Sequence, residues 1–411
     1  MIDSKEIAGL LDRLANGFEN AAERPSNEDS EPTDTVGWGQ FLDAPKQHKQ
    51  VGMYGTCAGI IVLAVAGRGD NPLSRKAVTL MDYWWNSRSS PKYSHKRLAQ
   101  TPRLAFANLA LRISGIPASS TISAQVEQAL LSEVMSGGIW GNYWTSEADR
   151  DNSPRIFPSA LALLSFNLMR SGSANRDGRL LRATHELEGA LAKELAAHEA
   201  AAVTAALLST EGESLGRRTR SRIDEIAIAR SRALGEGGVY FYDYQYDQAA
   251  GGATGFGRDY FIVPTEILLG IAGFQVGAPS ALRMRAESTL DALVLNIREH
   301  RQAYLSPSEQ RITSKNQAWA ALLLSAAARA LDGGYKPGRL FPRVGYEIRR
   351  ERKNRFFEVW FPFLSMIAVT ILGVALRKQG GVIDGIVAVA VLLIGGLYGP
   401  TVVRRLFPGY K

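Results

Sequence analysis

A chain of 411 residues exceeds what one hydrophobic core usually organises, so two or three domains are expected. Apolar residues at 45% and charged residues at 21% exclude a wholly disordered or fibrous protein. Its single cysteine, Cys57, excludes a disulfide framework and any zinc site built on two thiolates, and fits a reducing compartment. A formal charge of +8 points towards anionic partners, nucleic acid or the inner leaflet of a membrane.

Residues 1–35 are acidic, with nine acids against three bases. Their apolar spacing over 5–21 predicts a short amphipathic helix, and PSNEDSEPTDT after it reads as a linker. This acidic N-terminal helix and linker form the first of four expected segments. The opening residues contain acids and no apolar h-region, so no signal peptide is expected.

Residues 36–340 form the main expected domain, and 36–355 carry a net +11. Runs of small and apolar residues recur along it, starting at Tyr54, Arg103, Phe157, Ala201, Val263 and Gln317. With Thr56, Ala105, Ser159, Thr204, Thr265 and Ala318 as equivalent points, the intervals are 49, 54, 45, 61 and 53 residues. A period near 50 suits one helix pair with its connections. A second signature returns at twice that spacing: Gly37-Trp38-Gly39, then Gly137-Gly138-Ile139-Trp140-Gly141, then Gly237-Gly238-Val239-Tyr240. Glycine there permits close backbone approach while the aromatic ring anchors the loop. The glycine- and tyrosine-rich stretch 237–261 reads as aromatic loop or short hairpin.

The basic character concentrates in two ways. Residues 82–104 interleave Arg88, Lys92, Lys96, Arg97 and Arg103 with Tyr83, Trp84, Trp85 and Tyr93. Cations neutralise phosphates and aromatic faces stack on bases, the pairing expected of a single-strand nucleic-acid binder. Trp84 and Trp85 have an alternative reading as helix core. In addition a basic group stands just before each of five apolar runs: Lys49, Arg103, Arg155, Arg258 and Lys315, with Tyr54, Tyr260 and Asn316 close by. If the runs form an inner ring of helices, these junctions gather at one mouth, where helix N-termini add partial positive charge.

Residues 341–355 form a basic juxtamembrane helix, and 356–411 an expected two-helix transmembrane hairpin. Phe356 to Leu376 would extend about 31 Å as a helix, close to one hydrocarbon core. A short polar turn follows, and Val382 to Val403 forms the second span. Eight basic residues flank the terminal sides and two lie in the turn, which predicts that both termini are cytoplasmic. Ser365 and Thr370 are polar positions available to a lumen, while Gly373, Gly395 and Gly399 permit close helix approach.

Signatures of catalysis are scarce. No DxDD run, Walker A or HExxH pattern occurs. The acid clusters Asp149-Arg150-Asp151 and Asp243/Asp247 read as solvated loop, and Cys57 within an apolar run reads as a small buried thiol. No catalytic residue, cofactor or metal is therefore expected, and a non-enzyme is the preferred reading.

The repeat pattern resembles the α/α-toroid repeats of terpene cyclases, prenyltransferases and lanthionine-forming cyclases over about residues 36–332. That resemblance implies an all-α, helix-pair repeat domain. The whole layout resembles the two-span effectors of bacterial anti-phage systems, most closely the Hailong membrane effectors. This second resemblance implies a tetrameric pore in the bacterial inner membrane, acting in abortive infection. Its cytoplasmic domain would bind single-stranded DNA or a related nucleotide made by a partner nucleotidyltransferase, and the ligand would hold the pore closed. DNA contacts would then fall on Arg88, Lys92, Tyr93, Lys96, Arg97, Arg103, Arg155, Arg258, Tyr260 and Lys315. The competing expectation is a membrane-anchored toroid enzyme acting on an isoprenoid or lipid.

Overall fold

A computed structural model describes residues 3–25, 32–39, 51–87, 101–116, 119–132, 139–141, 155–168, 178–210, 215–223, 265–274 and 313–334, with a few single positions besides. The chain divides into two compact units, Met1–Pro337 and Gly338–Lys411, and the described residues belong to the first.

The helices are α1 (Ser4–Ala21), α2 (Met53–Val65), α3 (Pro72–Asn86), α4 (Thr101–Ser114), α5 (Ser119–Ser132), α6 (Ile156–Asn167), α7 (Gly178–Leu191), α8 (Ala197–Ser209), α9 (Thr265–Gly273) and α10 (Ser314–Asp332). Between the helices, the extended pairing among the described residues is limited to isolated antiparallel bridges, Glu23 with Gly37 and Gly39 with Val51.

Helix neighbours define the architecture. Helix α2 packs on α4, α4 on α6, α6 on α8, α8 on α9, α9 on α10, and α10 returns to α2. These six helices form a closed inner ring, and they contain the six recurring runs of the sequence. Outside them, α1 lies on α2 and α10, α3 on α2, α5 on α4, and α7 on α6 and α8. Among the described residues the first unit is helical, in an arrangement consistent with an α/α-toroid.

Residue pattern explains the two layers. Inner helices such as α2 (MYGTCAGIIVLAV) and α6 (IFPSALALLSFN) are apolar around nearly their whole circumference, because neighbours surround them. Outer helices bury one stripe. Helix α1 turns Ile7, Leu10, Leu11, Leu14 and Phe18 inward and leaves its charges outside. Asp3 caps its start, accepting from the Glu6 N–H at 2.7 Å. Asn71 caps α3 in the same way, with Pro72 at the first helical position. Arg68 fastens α1 to the α2–α3 connection through Asp12 at 3.0 Å and Glu19 at 2.8 Å.

The Gly-Trp signature is a repeated rivet. Trp38 and Trp140 are both fully buried. Each indole N–H donates to a carbonyl near the end of an outer helix: Trp38 to Phe18 at 2.6 Å, Trp140 to Leu130 at 2.7 Å. Each tryptophan's backbone N–H donates to the hydroxyl at the fourth position of the following inner helix, Thr56 at 3.5 Å and Ser159 at 2.9 Å. The N-cap N–H of that helix returns a bond to the tryptophan carbonyl, from Gly52 at 3.0 Å and Arg155 at 2.9 Å. The glycine after each tryptophan accepts from the first residue of the preceding inner helix, Ser314 to Gly39 at 3.0 Å and Thr101 to Gly141 at 2.8 Å. One short segment thereby ties an outer helix to two inner ones. Gly59 lies flat against the Trp38 ring, so a Cβ there would collide with it.

Of the two readings of Trp84 and Trp85 the helix core holds, and the membrane expectation is corrected. Trp84 and Trp85 are buried in the α3 packing, and the Trp85 indole donates to Gln125 of α5 at 2.8 Å, so neither ring is a stacking platform. Among the described residues, no helix is long and apolar enough to cross a membrane. The two spans expected over 356–411, with Ser365, Thr370, Gly373, Gly395 and Gly399, lie outside the described residues. The inner-membrane location, which depended on them, is withdrawn.

Candidate site at the mouth of the inner ring

The N-terminal turns of the inner helices supply the chemistry. Tyr54 is the second residue of α2, Arg103 the third of α4 and Lys315 the second of α10. The Arg103 guanidinium lies 5.6 Å from the centre of the Tyr54 ring, and the Lys315 amine 5.4 Å from it. Both distances fit cation–π contact. Phe106 lies beneath, 6.0 Å from Tyr54 and 5.6 Å from Trp319. Two cations from different inner helices thus pack against one tyrosine ring.

The local sequence explains this placement. Arg103 and Phe106 are three residues apart, and Lys315 and Trp319 four, so each cation stands above an aromatic on one helix face. Thr313 caps α10 by accepting from the Asn316 N–H at 3.2 Å, which fixes the turn that presents Lys315.

The electrostatics follow from burial. Lys315 is only 3% exposed, and desolvation pulls its amine down to a pKa of about 7. Burial pushes the Tyr54 hydroxyl well above the ordinary phenol range, and the Arg103 charge offsets only part of that shift. Trp319 is 4% exposed, and its indole N–H has no hydrogen-bond partner. Two turns into the ring, Asn108 donates to the Ser165 hydroxyl at 3.2 Å, while its own side-chain oxygen is buried without a partner.

These residues surround an axial cavity lined by Tyr54, Phe106, Ser165, Lys315 and Trp319. Its volume of about 10 Å³ is room for one water molecule. A prenyl chain or a base has no space there. This cavity is therefore not the chamber that the isoprenoid or lipid substrate of a toroid cyclase would need. Further round the ring, Phe157 of α6 meets His198 of α8 edge to face at 5.3 Å. Among the first turns of the inner helices the carboxylates are Glu266 of α9 and Glu199 of α8, which accepts from the Ala196 N–H at 3.3 Å. Also among the described residues, no group of His, Cys, Asp and Glu could hold a metal ion.

Of the expected ligand-binding residues, Arg103 and Lys315 come together over Tyr54. Arg155 occupies the N-cap of α6 with its side chain exposed. Arg88, Lys92, Tyr93, Lys96, Arg97, Arg258 and Tyr260 lie outside the described residues, as does Lys49. The sequence reading missed Phe106, Trp319, Phe157 and His198, which it absorbed into apolar runs or left unremarked. The signal available was a cation or polar group three or four residues from an aromatic at a helix start. Cys57 is fully buried between Met53 and Met81, its sulfur 3.7 Å and 4.0 Å from theirs.

No protein-family model and no curated protein matches the sequence. Among solved structures, the chain is similar to an inactive variant of an α-1,6-mannanase, GH76A of Salegentibacter sp. HEL1_6, in complex with α-1,6-mannotriose; that variant carries two adjacent aspartates changed to asparagine. The TM-score is 0.51 at 10% identity, covering 79% of this chain and 99% of that one. A second structure of the same enzyme gives a TM-score of 0.47 and carries no weight.

This likeness overturns the resemblance to the Hailong effectors and the gated pore inferred from it. The pore reading rested on the order of segments along the chain, with no diagnostic motif. The likeness instead spans nearly the entire length of a hydrolase chain. The channel and abortive-infection roles that belonged to that reading fall with it.

Proposed function

We propose that this chain is a carbohydrate-active α/α-toroid enzyme, a glycoside hydrolase that seats a sugar chain across the N-terminal mouth of its inner helices. The observation that carries this reading is the closed ring of six inner helices, whose fold matches an α-1,6-mannanase along 99% of that enzyme. The aromatic side chains at the mouth, Tyr54, Phe157 and His198, are suited to packing against the apolar face of a pyranose ring.

Glycosidic cleavage needs two carboxyl groups, one protonating the leaving oxygen and the other acting as base or nucleophile. The first turns of the inner helices carry two carboxylates, Glu199 of α8 and Glu266 of α9, and further acids stand in the segments leading into those helices. Asp149 and Asp151 precede α6 in sequence, and Asp243, Asp247 and Asp259 precede α9. These are the candidate acids.

The test incubates the purified full-length chain with α-1,6-mannan, other α-mannans and acidic polysaccharides, and follows products by chromatography and mass spectrometry. Oligosaccharide release that falls at least about 100-fold in Asp149→Asn or Asp151→Asn, the loss expected when a general acid or base is removed, supports the assignment. Release unaffected by any of the five Asp→Asn changes moves the acids elsewhere. Absence of both cleavage and saccharide binding defeats the reading.

A further inference from the structure

We infer that the axial cavity is a seat for an oxyanion carried by the substrate, either the carboxylate of an acidic sugar or a phosphate ester on one, held by Lys315, Arg103 and the Trp319 indole. This inference rests on the glycan reading and deepens it by naming the substrate's chemistry.

Three observations carry it. First, three of the polar side chains gathered at this spot are donors only, beside the Tyr54 and Ser165 hydroxyls. Lysine, arginine and the indole N–H have no acceptor atom among them, so they match a ligand group that only accepts. Second, they converge from two inner helices. Lys315 and Trp319 come from α10 and line the cavity, while Arg103 of α4 stands over the same Tyr54 ring. Third, the Trp319 N–H is buried without a partner, and buried donors are seldom left so. A ligand oxygen would satisfy it.

Size sharpens the assignment. Space for about one water admits one oxygen of a carboxylate or phosphate and excludes a sugar ring. The ring would remain at the mouth while its charged substituent reaches down the axis. A neutral hydroxyl could enter too, but it would bring no charge to meet the two cations, and charge-assisted hydrogen bonds are roughly twice as strong as neutral ones.

The experiment measures binding of mannose, glucuronate, mannose 6-phosphate and inorganic phosphate to the full-length chain by calorimetry. It is repeated with Lys315→Gln and with Trp319→Phe, which keeps the packing and removes the N–H. The expected result is that at least one acidic sugar binds ten-fold or more tighter than mannose. Lys315→Gln should abolish that preference and Trp319→Phe should reduce it several-fold. Comparison of glucuronate with mannose 6-phosphate distinguishes carboxylate from phosphate. Equal binding of mannose and both acidic sugars overturns the inference and leaves the glycan reading intact, as does a preference that survives both variants. Lys315-dependent binding of inorganic phosphate with no saccharide bound preserves the seat and removes the glycan reading. If Lys315→Gln fails to fold, Trp319→Phe decides alone.

Discussion

The riveted wall of the ring and its axial mouth solve opposite problems with the same residue types. In the wall, Trp38 and Trp140 are fully buried and their polar groups are matched: indole N–H, backbone N–H and backbone carbonyl each have a partner, set by equivalent residues of two repeats. At the mouth, Trp319 is almost as deeply buried yet its N–H is unmatched, and it lies beneath a lysine that burial has partly discharged. Satisfied buried groups stabilise a unique packing, whereas unsatisfied ones cost stability and persist where function needs them. One tryptophan position is therefore architectural and the other belongs to a site.

The sharpest way to break this contrast is at the wall. Trp38→Ala removes a large buried ring and leaves the Phe18 carbonyl and Gly59 face empty; a loss of about 3–5 kcal/mol is expected in denaturant unfolding. Gly59→Ala should be comparably damaging, since the added methyl meets the Trp38 ring directly. A small loss in either variant would show that the rivet is dispensable.

The mouth should respond in the opposite sense. Lys315→Met replaces a desolvated amine with an apolar chain of similar length, and a gain of roughly 1–3 kcal/mol is expected at neutral pH, because about 1.4 kcal/mol accompanies each unit of pKa shift and some packing is lost. The same residue gives the native protein a pH slope. The unfolded chain keeps the lysine proton up to about pH 10, whereas the folded chain releases it near 7. The unfolded state thus binds more protons between those values, so stability rises with pH across that window and is lowest below it. Melting curves from pH 6 to 9 should show this slope in the wild type and a flatter one in Lys315→Met.

Smaller effects separate the two tryptophans by their N–H groups. Trp140→Phe leaves the Leu130 carbonyl without its donor and should cost about 1–3 kcal/mol. Trp319→Phe removes a donor that has no partner and should be neutral or slightly stabilising. Equal costs would erase the distinction between wall and mouth. At the surface, Arg68→Ala should cost no more than about 1 kcal/mol, since its ion pairs are partly exposed.

Much of the ring was legible before any coordinates. The runs at Thr56, Ala105, Ser159, Thr204, Thr265 and Ala318 mark its six inner helices, because a helix surrounded by neighbours must be apolar all round and small enough to pack. The Gly-Trp signature pointed to an anchored loop, but the partners of its hydrogen bonds lie on helices far apart in sequence and were invisible. At the mouth, Arg103 and Lys315 were singled out for their position before apolar runs, while Trp319 looked like core because hydropathy treats an indole as apolar regardless of its N–H. The effector reading went astray because it took the order of segments for identity. Segment order records hydropathy and charge, and proteins of unrelated chemistry share such layouts.

Local spacing by itself determined the helical periods, the caps at Asp3 and Asn71 and the small-residue texture that permits a double layer, since each depends on neighbours within a few residues. Only the tertiary structure decided that the first inner helix meets the last, that two distant cations pack on one tyrosine, and that the cavity beside that ring is the size of a single oxygen. Ring closure brings α2 and α10 together across more than half the chain, and no local pattern encodes how much room is left when six helices meet on an axis.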